Sequence, residues 1–80
     1  RQAGEPPREG LQGARALELE ALQLLKDAIV HCEGVGDFTS RQLFADILDS
    51  EEEHIDWIET QLSLIERIGE QNYLAQQLDK

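Results

Sequence analysis

The 80-residue chain has no methionine, one cysteine and two prolines, and only 7 of its residues are basic against 17 acidic. A single cysteine leaves no partner for an internal disulfide, and Cys32, on an apolar helix face, is expected to be a buried small thiol rather than a reactive one. A reducing, cytoplasmic setting is the corresponding expectation. The formal charge of −10 argues against a nucleic-acid binder, whose phosphates the chain would repel, and against an anionic membrane surface. It fits a chain that attracts cations or one that simply stays soluble. Uninterrupted apolar runs are far too short to cross a bilayer, and no secretory signal is recognisable. A Gly-rich phosphate loop, a CxxC pair and a Ser/His/Asp arrangement are all missing. Because the chain opens on Arg1 and lacks Met, we expect either that a start residue and leader are missing or that it is part of a longer chain.

What is there reads as helix. Pro6-Pro7 stops a helix from running through the first residues, so residues 1–7 are expected to be a flexible lead-in and 8–80 a single small helical domain. Over about 8–33, Leu11, Ala14, Glu18, Ala21, Leu22, Leu25, Ile29 and Cys32 recur on one face, with Leu17, Leu24 and Ala28 as a flanking seam. Gly34 to Asp37 forms a short turn, with Gly34 suited to the left-handed position that ends a helix. Thr39 and Gln42 fit a capping box for a second helix over about 39–68, closed by Gly69. Its face carries Leu43, Ile47, Glu51, His54, Ile58, Leu62 and Ile65, with Leu48 and Ile55 flanking. A third, short helix over 70–78 has Tyr73, Leu74 and Leu78 as its apolar side. The expected fold is all-α: an antiparallel helical hairpin plus a short C-terminal helix.

Glu51 and His54 interrupt the apolar stripe of the second helix, and Glu18 interrupts that of the first. A charged group in such a stripe is costly unless it is paired. Glu-x-x-His puts a carboxylate and an imidazole one turn apart on one surface, as in helix-bundle di-metal sites. Alone, the pattern also fits a buried ion pair or a solvated face. The turn adds a second fact: Glu18 precedes Gly36 by as many positions as His54 follows it, so both lie about 27 Å from the turn, with Glu51 one turn nearer. Three odd polar residues thus reach one level, whereas His31 lies near the turn and reads as a surface residue.

Each helix is apolar over a wider arc than one partner covers. Pairing two copies about a twofold axis gives a four-helix bundle and joins two sets of Glu18, Glu51 and His54. Four carboxylates then balance two divalent cations. Such mixed oxygen and nitrogen ligation admits iron, manganese or zinc. Bridging carboxylates with open positions favour a pair of irons, and zinc as a structural staple is the alternative. The expected assembly is a homodimer or a higher homo-oligomer, without nucleic acid or membrane.

From about Ala16 to Leu78 the chain resembles the C-terminal half of bacterioferritin. The motifs that carry this are ALELEAL around Glu18, GDFTSRQLF at the turn, ILDSEEEHIDWIETQLSLIE across the Glu-x-x-His pair, and QNYL in the terminal helix. The resemblance implies a ferritin-like four-helix bundle whose halves each contribute Glu and Glu-x-x-His to a di-iron centre that oxidises Fe(II) for storage or detoxification. By position, Glu18 resembles the terminal carboxylate, Glu51 the bridging one and His54 the imidazole ligand. The family's first helix pair is missing, and with it the haem-ligating methionine, so no haem is expected from this chain. Ala75 stands where the family usually has Gln near its fourfold channel. A truncated or split subunit acting as an assembly element, with an incomplete or vestigial metal site, is the alternative reading.

Overall fold

In the computed structural model, which describes residues 7–78 and side chains as far as Gln77, three helices follow one another: α1 (Pro7–Val35), α2 (Phe38–Ile68) and α3 (Glu70–Leu78). Of the expected lead-in, residues 1–6 lie outside the described residues. Pro7 is the first residue of α1, a position where its fixed φ and missing N–H cost nothing.

The turn differs from its sequence reading. α1 continues through Gly34 to Val35, and Gly36 takes the left-handed conformation at φ 77°. Gly36 N donates to Glu33 O and Asp37 N to Cys32 O, the pair of bonds that closes a Schellman motif. Asp37 then caps α2, its Oδ1 accepting from Ser40 N at 3.1 Å, in place of the expected Thr39 and Gln42 box. One aspartate therefore ends one helix and begins the next, leaving a connection only two residues long. At the far end of α2, Gly69 at φ 84° takes the C-cap position.

So short a turn folds α2 back along α1. Glu33 with Arg41, Glu18 with His54, and Arg15 with Glu59 pair across the hairpin at successive levels, which fixes the antiparallel register. The result is a rod of 51 × 20 × 20 Å. α3 crosses its open end: the Tyr73 hydroxyl donates to Gln61 of α2, and Arg8 N of α1 donates to Glu70. Tyr73 is buried and Leu74 is not; the side chain of Leu78, expected on the same face, lies outside the described residues.

The core is a single seam of Cys32, Ile55, Ile58, Ile65 and Tyr73. On α1 the expected face from Leu11 to Cys32 does turn inward. On α2 the inner row is Phe44, Leu48, Glu51, Ile55, Ile58, Leu62 and Ile65, while Leu43 and Ile47, expected inside, are exposed. Steps of four advance a row by about 40° each. The row from Leu43 through Ile47 to Glu51 therefore walks across the helix surface, and α1 covers only its far part. Among the described residues, no helix is long and apolar enough to cross a membrane.

Candidate metal centre

The residues that break the apolar stripes meet midway along the rod. His54 Nδ1 lies 2.6 Å from Glu18 Oε2, across the hairpin. Glu51, one turn from His54 and nearer the turn, is the neighbour of Glu18, whose carboxyl group opposes its ionisation. All three sequence-derived site residues are therefore brought together at one level. Their exposure is uneven: the Glu18 side chain is 22% exposed and that of His54 51%. The site thus opens to one side of the hairpin.

Two carboxyl groups so close cannot both ionise freely. Hydrogen bonding with Glu18 pushes the Glu51 carboxyl above its ordinary range, burial and the Glu18 charge add to this, and His54 opposes it. Glu51 Oε2 is buried and has no hydrogen-bond partner. An unsatisfied carboxylate oxygen in such a place costs stability unless something else binds it. Among the described residues, no three His, Cys, Asp or Glu side chains converge tightly enough to hold a metal ion within one chain. What one hairpin presents is a cluster of donors open on the side where further ligands could arrive.

The surrounding acidic residues have other roles. Glu59 pairs with Arg15 at 2.9 Å on the surface, and Glu52 and Asp56 border a groove on the flank. His31 is exposed and takes no part. Sequence reading passed over Trp57, whose ring centroid stands 6.4 Å from that of His54 and which is more than half exposed. Its signal was available, since Trp57 follows His54 by one helical turn and so shares its side.

Residues 2–68 match the family model described as a ferritin-like domain. The chain is 43% identical over 70 residues to a bacterioferritin of Rhodobacter capsulatus, covering 88% of this chain and 44% of that one. Against a bacterioferritin of Mycobacterium bovis it is 44% identical over 73 residues, 91% of this chain and 46% of the relative. Against a bacterial ferritin of Synechocystis sp. it is 46% identical over 76 residues, 94% and 49%. The chain spans about half the length of the curated relatives it matches. These matches bear out the resemblance carried by the motifs around Glu18, Glu51 and His54.

Proposed function

Because this chain belongs to the ferritin-like domain family, we propose that two copies of it join their half-sites to bind and oxidise Fe(II), for iron storage or detoxification. The observation that carries this is the buried, partnerless Oε2 of Glu51 beside Glu18 and His54. Two carboxylates and an imidazole form a donor set that suits iron. A twofold mate supplies a second set at the same level, giving four carboxylates and two imidazoles around two cations.

In this reading Glu18 from α1, and Glu51 and His54 from α2, would hold the cations. The carboxylates neutralise the charge that the cations bring into an apolar seam. Because the Glu51 carboxyl is raised beside Glu18, protons and cations compete for it. With Nδ1 held by Glu18, His54 keeps Nε2 as its uncommitted ring nitrogen, and ligation through Nδ1 instead would require the exposed ring to leave Glu18. Two Fe(II) ions held there would each supply one electron to a common oxidant.

Anaerobic titration of the full chain with Fe(II), followed by admission of air or peroxide, tests the proposal. Saturation at two irons per two chains and the appearance of ferric absorbance are expected. Titration without saturable uptake overturns it.

A second reading is favoured by the lack, among the described residues, of three donors converging tightly enough to hold a metal ion: the hairpin as an assembly element around an incomplete site, completed by a different chain. Native mass separates the two, since the first requires homodimers or their multiples.

A further inference from the structure

Ion pairs cross the hairpin along one flank, and one rung of that ladder is missing. Arg15 of α1 meets Glu59 of α2 at 2.9 Å, and Glu33 meets Arg41 at 3.7 Å nearer the turn. Seven residues make two helical turns, about 10.5 Å. In an antiparallel hairpin, seven residues forward on α1 and seven back on α2 therefore lead from Arg15 and Glu59 to Leu22 and Glu52, on the same flank. The position that continues the row of bases holds a leucine. At this level lies a groove of about 340 Å³, with Leu19, Leu22 and Ile55 as its apolar lining and Glu52 and Asp56 as its acidic one. Among the described residues, neither Glu52 nor Asp56 has a basic side chain within ion-pair distance. Lys26, one turn from Leu22, pairs with no described carboxylate and does not line the groove. On the wheel of α2, Ile55 stands between these two acids and His54, so this flank is separate from the Glu18, Glu51 and His54 cluster.

We propose that this groove receives an arginine from an amphipathic helix of a partner protein, the guanidinium lying between Glu52 and Asp56 and its methylene stem against Leu19, Leu22 and Ile55. Charge sets the class of partner: two carboxylates without a base, on a chain of formal charge −10, attract a cation. The apolar lining selects among cations. A strongly hydrated metal ion or ammonium gains nothing from leucine, whereas a weakly hydrated guanidinium on a hydrocarbon stem suits both walls. Size points to a side chain. The groove stands at the foot of the range for small-molecule pockets, about 300–1,000 Å³, and lies open along the hairpin, so a free small cation would stay mostly wet. A side chain brings further contacts with it. Val30, 69% exposed, follows Leu19 by three full turns and so continues its line along α1. A helix laid along the flank with its arginine in the groove reaches Val30 with an apolar residue two to three turns away, the helix-in-groove mode of recognition.

The test is NMR titration of the full chain, with chelator present, using a helical peptide of about 15 residues that is neutral except for one arginine and carries leucines two and three turns away on the same face. The peptide is expected to shift the methyl signals of Leu19, Leu22, Val30 and Ile55. Citrulline in place of its arginine keeps the shape and removes the charge, and should weaken binding at least about threefold. Glu52→Gln with Asp56→Asn should weaken it to the same extent. Glu20→Gln with Glu53→Gln, which removes as much charge from exposed positions on the other flank, should leave it unchanged. Equal weakening by the two double variants, or equal binding of the citrulline peptide, overturns the ion-pair assignment. No shift at these methyls up to about 1 mM peptide overturns the groove as a docking site. Butylguanidinium binding as tightly as the peptide assigns the groove to a small cation and overturns the helical partner. Concentration-dependent shifts at the same methyls without peptide assign it to a second copy of the chain and overturn it likewise.

Discussion

His54 Nδ1 rests 2.6 Å from Glu18 Oε2, so the imidazole and the carboxylate that the two long helices contribute are already joined in a single chain. Glu51, on the same helix as His54, is the member left with a buried oxygen unused. That difference assigns Glu51 the largest effect on cation uptake. Glu51→Ala is expected to weaken Zn(II) or Fe(II) binding by well over tenfold, since even outer-shell partners of metal ligands contribute about 10–100-fold. Calorimetric titration reads this directly, and unchanged stoichiometry and affinity would contradict it.

The raised Glu51 carboxyl also makes a statement about pH. Its folded value lies above the ordinary 4.5, so the folded chain holds a proton that the unfolded chain has released. The corresponding stability is fully present below about the ordinary value and is lost as pH rises through the raised one. Metal-free chain should therefore lose melting temperature over that interval, and Glu51→Gln should flatten the loss. Asp37 acts in the opposite sense. Hydrogen bonds from the Ser40 hydroxyl and backbone N–H hold it below its ordinary 3.8, so its contribution is lost as pH falls through the lowered value. Thermal melts of Glu51→Gln and Asp37→Asn across an acid-to-neutral series distinguish these slopes.

Burial predicts a different scale of effect. Ile58 and Ile65 are 1% and 0% exposed, and truncating either to Ala should cost about 2–5 kcal/mol. A small domain with few fully buried residues has little to spare, so much of the population should unfold at 37 °C. Glu59→Ala, which breaks the surface pair with Arg15, should cost no more than about 1 kcal/mol. Urea unfolding monitored by circular dichroism ranks the three.

Gly36 is the hinge of the hairpin at φ 77°. Gly36→Ala has room for its Cβ, with nothing within 4 Å, and should still cost about 1–2 kcal/mol through the left-handed backbone alone. Gly13→Ala, also without a neighbour within 4 Å but inside α1, should instead stabilise by up to about 1 kcal/mol.

Trp57 is the chain's one tryptophan, more than half exposed and beside His54. Association through its side of the hairpin should shift its emission to the blue and protect it from acrylamide quenching. Unchanged emission in a dimer established by mass would place the contact elsewhere.

The level of Glu18, Glu51 and His54 was legible in the sequence because it needs only a helical rise and a turn in a known place. Small errors in the turn leave that level intact: moving the left-handed residue from Gly34 to Gly36 and the cap from Thr39 to Asp37 lengthens both helices at the turn without shifting the pairing. Which face of α2 meets α1 was harder to read. Leu43, Ile47, Leu48 and Ile55 are all apolar, and periodicity alone does not say which two of them a single neighbour will cover. The width of the apolar arc, rather than any one residue in it, was the clue that a further surface remains. Trp57 went unread for the same reason, being one more apolar residue on a helix with several.

At the open end of the rod, α3 ties into both long helices, through Tyr73 to Gln61 and through Glu70 to Arg8. With the two-residue connection at the opposite end, this clasps the hairpin at both extremities. Sliding α1 past α2 by a single turn, about 5.4 Å, would strand Glu18 away from His54, and a fastening at each end forbids that slip. The terminal helix, remote from the donors themselves, thereby acts as the keeper of their alignment.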